Sequence, residues 1–103
     1  MIIYNETVIV EEGTHTAWLA WLQQTHLPAI MATGHFKHYN ILNVMDSPNE
    51  GITYCVQYHA DKLEDVEAYF NNHLDIFQAQ QQQRFENKFV TFSTLMQTVP
   101  TIY

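Results

Sequence analysis

The N-terminal third of the chain changes from a strand pattern to a helix pattern. Apolar residues occupy both parities of the segment 2–10, which predicts a strand with two partly buried faces. Gly13 then breaks the strand, and Thr14 is a candidate N-cap for a helix. Gly34 is the expected C-terminal cap. Between these caps, side chains recur at the three- and four-residue spacing of an amphipathic helix: Trp18, Leu19, Leu22, His26, Ile30 and Met31.

The rest of the chain predicts three more strands and one more helix. Segments 36–45 and 52–59 have strand character and are joined by the turn-forming run 46–51. The spacing from Asp61 to Glu64 matches a capping box, so a helix is expected to begin near Lys62 and to end within 85–88. A last strand is predicted over 89–99, ended by Pro100. The apolar stripe of the second helix consists of Leu63, Val66, Phe70, His73, Leu74 and Phe77.

The order β-α-β-β-α-β predicts a single α+β domain over 1–103 with a ferredoxin-like fold. In that fold a four-stranded antiparallel sheet carries two helices on one face. Every predicted strand has apolar or aromatic residues on both parities, so a monomer would expose a larger apolar patch than monomers usually tolerate. We therefore expect a homodimer through the open sheet face, with the two sheets packed about 10 Å apart as a dimeric α+β barrel.

The charge balance excludes several classes of partner. Eleven acidic residues face only four basic ones, so a row of phosphates cannot be neutralised, and neither nucleic acid nor an anionic membrane surface is an expected partner. No apolar run approaches the roughly 20 residues needed to cross a bilayer. Met1 leads directly into a strand pattern without a cationic leader, and Cys55 is the single cysteine, so we expect a cytoplasmic location.

His26 is the candidate catalytic residue. Pro28 cannot donate a backbone hydrogen bond, so the helix should loosen around the carbonyl of Gln24 and open a polar pocket beside His26. An imidazole there is suited to acid or base chemistry or to holding a ligand carboxylate, whereas the structural alternative is that His26 caps backbone groups freed by the kink. Trp18 and Trp21 form either a flat wall beside His26 or simply part of the core or an interface.

Strand residues supply the other candidate ligand contacts. The hydroxyls of four strand tyrosines are candidates to line a cavity as donors to a carbonyl-bearing ligand, although half-buried tyrosines need no such role: Tyr4, Tyr39, Tyr54 and Tyr58. Asn5 is expected either to point into the same space or to serve a sheet edge or bulge. The candidate ligand-binding set is thus Tyr4, Asn5, Trp18, Trp21, Tyr54 and Tyr58.

No cofactor or metal is predicted from motifs. His35 and His38 have an H-x-x-H spacing, but on a strand that spacing sends the two rings to opposite faces. The sequence contains no glycine-rich phosphate loop, no nucleophile elbow and no Cys/His dyad of recognisable spacing. Nucleotide use and hydrolysis by an activated nucleophile are therefore not expected.

Several segments together resemble a bacterial family catalogued as domain of unknown function 4286, within the dimeric α+β barrel group. The resemblance covers essentially the whole chain and implies the fold and dimerisation, because the family has no established activity. Two positions depart from the pattern expected of the family: Gln81 stands in place of a histidine and Ser93 in place of an arginine. If these positions belong to a site, this chain lacks part of it. The resemblance is carried by segments 3–5, 18–28, 33–34, 53–58, 84–85 and 89–95, with Phe36.

The wider barrel group contains cofactor-independent monooxygenases, isomerases, haem-degrading enzymes and ligand-sensing modules. The resemblance therefore implies a pocket between the sheet and the helices, but no particular chemistry. In haem-degrading relatives an asparagine on the first strand and a histidine on the second helix accompany a tryptophan. Asn5 and His73 match that description loosely, but the tryptophan has no counterpart before His73, so a structural role for His73 is expected.

Three functional hypotheses follow. The leading one is a cytoplasmic homodimer that binds a small organic ligand. The second is a cofactor-independent enzyme of monooxygenase or isomerase type, with His26 as acid or base and Tyr4 or Tyr54 orienting the substrate. The third is a structural or regulatory dimerisation module. The presence of a pocket, and whether His26 faces it, separates them.

Overall fold

The sheet has the predicted arrangement of strands. The computed structural model describes residues 1–102, in which four strands form one antiparallel sheet of order β2-β3-β1-β4. The central strand β1 pairs along its whole length with β3 on one side and β4 on the other. The ferredoxin-like fold is confirmed, although β2 and β4 are shorter than expected. The strands are β1 (Ile2–Val10), β2 (His38–Asn43), β3 (Ile52–Ala60) and β4 (Phe89–Gln97).

The first helix spans 15–31 and is interrupted by a π-helical turn. It consists of α1 (His15–Trp21), the π turn Leu22–His26 and α2 (Leu27–Met31). The Leu27 N–H donates to the carbonyl of Leu22, five residues earlier, as in a π turn. Because Pro28 has no N–H, the loosening predicted just before it takes this form. Thr14 occupies the N-cap position without a side-chain capping bond.

The second helix spans 63–84 and has the same construction without any proline. It consists of α3 (Leu63–Tyr69), the π turn Phe70–Leu74 and α4 (Asp75–Arg84). The predicted capping box is wrong, because the N-cap is Lys62 and makes no side-chain capping bond. Asp61 lies one residue earlier, where its carboxylate is 3.3 Å from Lys37 Nζ. The negative charge of Glu64 in the first turn is still stabilised by the positive N-terminal end of the helix dipole.

The core lies between the two helices and one face of the sheet. Alternate residues of β1 and β3 point to this side, and their burial removes large apolar areas from water at roughly 25 cal/mol per Å². Two tryptophans and several aliphatic residues cover them from the helices. The fully buried side chains include Val10, Trp18, Leu22, Leu27, Ile30, Val56, Tyr58, Val66 and Tyr69.

The opposite side of the sheet, which we call the open face, is not covered by either helix. On β1 and β3 it carries mostly polar residues, among them Asn5, Thr7 and Gln57. Apolar side chains concentrate on the outer strand β4, where Val90 and Phe92 are more than half exposed, whereas the other outer strand, β2, contributes mainly His38, Asn40 and Leu42. The expectation of an apolar open face on every strand therefore holds for β4 and only in part for the other strands. No helix of residues 1–102 is long and apolar enough to span a membrane.

Two glycines have positive φ angles, which residues other than glycine rarely adopt. Gly34 (φ +84°) ends the first helix, with its N–H donated to Met31, and a Cβ there would meet no atom within 4 Å. Gly51 (φ +87°) precedes β3, and its Cβ would lie 2.5 Å from the backbone oxygen of Val10. We expect Gly34→Ala to lower the free energy of unfolding by about 1 kcal/mol, the penalty of the left-handed conformation alone.

For Gly51→Ala we expect a clearly larger loss, because a steric clash with β1 adds to that penalty. Urea unfolding of the two variants beside the unsubstituted protein measures both values. Equal losses would mean that the contact with Val10 relaxes at no cost.

Candidate functional site

Glu6 is a charged residue on the helix-facing side of the central strand. It lies between Tyr4 and Val8 in the alternation of β1, both of which are buried in the core. Its neighbours across the sheet are Val56 on β3 and Ser93 on β4. The side chain is half-buried, so the sheet holds a carboxyl group at the margin of the core.

Three tyrosines surround this carboxyl group. The ring of Tyr4 stacks on that of Tyr58 at 5.6 Å between centroids and lies 6.3 Å from that of Tyr69. Burial raises the pKa of each of these tyrosines, and the nearby Glu6 carboxylate raises it further. The Tyr58 hydroxyl is buried from solvent. All three phenols therefore stay neutral at physiological pH and can act as hydrogen-bond donors.

Glu6 itself has an altered protonation equilibrium. Burial raises the pKa of its carboxyl group, and the hydroxyls of Tyr4 and Tyr58, which favour the ionised form, offset part of that effect. A carboxyl group of this kind holds its proton to higher pH than an exposed glutamate does. Such perturbed groups in clefts are typical of functional sites, where a base or acid must exchange a proton near neutral pH.

Glu6 opens onto a cleft between α4 and the β1–β4 half of the sheet, which we call the Glu6 cleft. Its volume is about 450 Å³, within the range of small-molecule sites. It is broadly open to solvent. Most of its lining residues are of polar type, and one is aromatic: Glu6, Asp75, Gln78, Ala79, Gln81, Gln82, Phe89 and Thr91.

Gln81 connects this cleft to the core. Its side chain is buried, and its Oε1 accepts a hydrogen bond of 3.1 Å from the indole Nε1 of the fully buried Trp18. A glutamine at the end of the buried stripe of the second helix is thus held by a tryptophan of the first helix. The contact joins both helices at the inner wall of the Glu6 cleft.

The predicted ligand-binding residues are only partly brought together. Tyr4 and Tyr58 lie beside Glu6, and Trp18 reaches the cleft through Gln81. Tyr54 is in the same layer, where it stacks on Trp18 at 5.3 Å, but its hydroxyl bonds to His15 Nδ1 at 2.9 Å.

Asn5 lies apart from the other predicted ligand contacts. Strand alternation sends it to the open face, where its Nδ2 donates to Thr7 Oγ1. The expectation that it shares a space with Tyr4 is wrong.

His26 is not among the residues that line the Glu6 cleft. The side chain is 6% exposed, stacks on Trp21 at 4.3 Å and meets the edge of Phe77 at 5.7 Å. Among residues 1–102 its Nδ1 has no hydrogen-bond partner, and the residue forms no side-chain cap at the start of α2. Burial lowers the pKa of His26 to about 4, so the ring is neutral at pH 7. Of the two tryptophans expected beside it, only Trp21 is there.

The remaining histidines form two surface pairs. His35 lies 5.4 Å from His73, which belongs to the second π turn. His38, the first residue of β2, stacks on His59 at 4.1 Å on the open face. Within residues 1–102 no group of three or more His, Cys, Asp or Glu side chains is arranged to hold a metal ion.

Sequence analysis missed Glu6, although its pattern contained a signal. Tyr4, Val8 and Val10 share one parity of the predicted strand 2–10, and a lone carboxylate interrupts that face at position 6. Gln81 and Ser93, the two departures noted from the sequence, both adjoin Glu6. Ser93 is its register partner on β4, and Gln81 lines the same cleft.

A family model supports the resemblance noted from the sequence. The model described as "Domain of unknown function (DUF4286)" matches residues 1–99. No curated protein sequence matches the chain significantly.

Solved structures with the same fold include proteins of different kinds. SnoaB, a cofactor-independent oxygenase from Streptomyces nogalater, is 10% identical with a TM-score of 0.68, over 98% of this chain and 96% of that one. An ethyl tert-butyl ether d (ethd) family protein from Bacillus halodurans is 12% identical with a TM-score of 0.65, over 96% and 100%. A dimeric ferredoxin-like protein from an uncultured marine organism is 10% identical with a TM-score of 0.62, over 98% and 96%. At these identities the similarity establishes the fold alone.

The lowered pKa of His26 predicts a pH-dependent stability. Because the folded state resists protonation of this ring, stability is full above the unfolded pKa of 6.5 and falls as the pH drops from 6.5 towards 4. The expected loss is about 3 kcal/mol, at roughly 1.4 kcal/mol per pH unit. His26→Phe, which keeps a ring against Trp21, should remove this part of the slope in urea unfolding between pH 7 and 4.

The comparison isolates His26 because every other titrating group, Glu6 included, is present in both proteins. If the two proteins lose stability in parallel over this range, the ring is protonated in the folded state without cost.

Proposed function

We propose that this chain, which belongs to the DUF4286 family, binds a small polar organic molecule in the Glu6 cleft. The observation that carries the proposal is a half-buried carboxyl group, ringed by neutral tyrosines, at the floor of an open cleft of ligand size. In this proposal Tyr4 and Tyr58 interact with Glu6 and not with the ligand, and their hydroxyls influence the charge and the orientation of its carboxyl group.

The energetics of Glu6 support a role in binding. A carboxylate withdrawn from water costs free energy unless hydrogen-bond donors or a cation compensate it, and no lysine, arginine or histidine is among the described residues that line the cleft. An apolar residue at this position would continue the core alternation of β1 without that cost. A destabilising carboxyl group that lines a cleft is typical of a binding site, since a ligand with a hydrogen-bond donor supplies a further partner.

A second candidate function is cofactor-independent catalysis of proton transfer. The raised pKa of Glu6 suits it to accept a proton from a bound substrate, and the Tyr4 hydroxyl stabilises the carboxylate before the transfer converts it to a neutral carboxylic acid. The oxygenase among the structural neighbours works without a cofactor, which is compatible with chemistry of this kind. The version of this hypothesis that uses His26 with Tyr4 or Tyr54 has less support, because His26 packs between Trp21 and Phe77.

We further propose that the chain is a homodimer through its open face. The exposed side chains of Leu42, Val90 and Phe92 would be buried by a second copy, with polar residues at the centre of the contact. One structural neighbour is described as a dimeric ferredoxin-like protein. The Glu6 cleft is on the helix side of the sheet, so ligand binding and dimerisation use opposite faces. A protein that serves only as a dimerisation module would form the dimer without binding a ligand in the Glu6 cleft.

Protein-observed NMR with a set of small neutral organic fragments tests the binding site. We expect chemical-shift changes around Glu6, Asp75 and Thr91 in the unsubstituted protein. Thr91→Trp should abolish them by filling the cleft, whereas Thr25→Trp, in a separate surface cleft on the first helix, should leave them intact. Shift changes that avoid the Glu6 cleft and survive Thr91→Trp would rule out this site.

Sedimentation velocity at micromolar concentration tests the dimer. We expect the unsubstituted protein to sediment as a dimer and Phe92→Lys to sediment as a monomer, because the lysine places a charge in the proposed apolar contact. Ile76→Lys is the matched control, since Ile76 is equally exposed but lies on α4, away from the open face. A monomeric unsubstituted protein, or a dimer that both variants tolerate, contradicts the proposal.

A further inference from the structure

We propose that the ligand of the Glu6 cleft is a neutral molecule with a carbonyl oxygen beside a hydrogen-bond donor, as in an amide. Gln81 donates to the carbonyl oxygen and Glu6 accepts from the adjacent donor. The inference rests on the proposed function, because it names the ligand class of the same cleft.

The Trp18 indole determines the orientation of the Gln81 amide. An indole N–H is only a donor, so the glutamine atom that faces Trp18 has to be the acceptor Oε1. The 3.1 Å contact between these buried side chains therefore fixes the amide plane. Because Oε1 is held by Trp18, Nε2 is the amide atom of Gln81 that is left to contact a ligand in the cleft, which this residue lines. Gln81 thus offers the ligand hydrogen-bond donors, and Trp18 is its positioning residue.

The charge of the lining disfavours anionic ligands. Two carboxyl groups, Glu6 and Asp75, face the cleft, and none of its described lining residues is basic. Carboxylate and phosphate ligands would meet like charge without a compensating cation, which disfavours them. The net charge of −7 over the whole chain adds to this repulsion.

The donors of Gln81 favour a neutral ligand over a cation. An ammonium group has donors only, so it would satisfy Glu6 but leave the Gln81 N–H groups facing another donor. An unpaired donor at a half-buried site costs free energy that the ion pair has to offset. An amide presents one acceptor and one donor side by side and satisfies both residues. Phe89 and Ala79 supply an apolar wall for the remainder of the ligand.

Three probes of similar size distinguish the ligand classes: benzamide, benzoate and benzylamine. Titrations at pH 7, followed by amide chemical shifts of the residues lining the cleft, give the affinity of each probe for the unsubstituted protein. We expect benzamide to bind most tightly and benzoate least. This ranking is obtained without any substitution, so it does not depend on the folding of a variant.

The variant Gln81→Glu tests the contact directly. Its carboxylate still accepts the indole N–H of Trp18 but replaces the donor facing the cleft by an acceptor. We expect benzamide affinity to fall about tenfold or more, the loss of one buried hydrogen bond with its unpaired partner, and benzylamine affinity to rise. Gln80→Glu is the matched control, because it adds the same charge one residue away in a different cleft, and benzamide affinity should be retained.

The outcomes separate this inference from the proposed function. If benzoate or benzylamine binds in the cleft more tightly than benzamide, the ligand class is wrong although binding in the Glu6 cleft stands. If none of the probes shifts the resonances of the cleft, the ligand class is overturned and binding there loses its support. Equal losses of benzamide affinity in the two glutamate variants would refute the role assigned to Gln81.

Discussion

The layer of stacked tyrosine rings between the sheet and the helices is the interaction on which the rest of the structure depends. Tyr4, Tyr58 and Tyr69 contribute large apolar surfaces to the core, and Phe36 completes the cluster at 4.9 Å from Tyr69. A core made of tyrosines also carries hydroxyl groups that need a polar environment. Glu6 lies close to these hydroxyls, and it is also one of the two carboxyl groups that line the Glu6 cleft.

The two π turns determine how the helices meet above this layer. Each turn adds a residue to its helix and so shifts the side chains that follow by about 100° around the axis. In the first helix the turn places His26 between Trp21 and Phe77; in the second it precedes α4, whose Gln81 reaches Trp18. Only the first has a proline nearby. Single π turns are frequent at functional sites, and here the second one precedes α4, which lines the Glu6 cleft.

A shared fold does not by itself assign an activity, so the argument for function has to come from the residues of this chain. The neighbours share the architecture at 10–12% identity, which transfers no side-chain chemistry. What distinguishes this chain is an acidic, amide-rich cleft behind a tyrosine layer. That combination favours recognition of neutral polar molecules, and the raised pKa of Glu6 leaves proton transfer available to the same site.

The sequence by itself determined the order of the elements, the face of each helix that is buried and the ferredoxin-like topology. These follow from periodicities of 2 and 3.6 residues and from local signals such as Gly34, all of which act over a few residues. The same alternation already sends Asn5 and Tyr4, neighbours on one strand, to opposite faces. Tertiary structure alone decided that His26 lies between two aromatic rings and that Glu6 and Gln81 line one cleft. The physical reason is that a pKa, a cavity or an oriented amide depends on groups distant in sequence. The Trp18–Gln81 contact, for example, joins residues that are 63 positions apart.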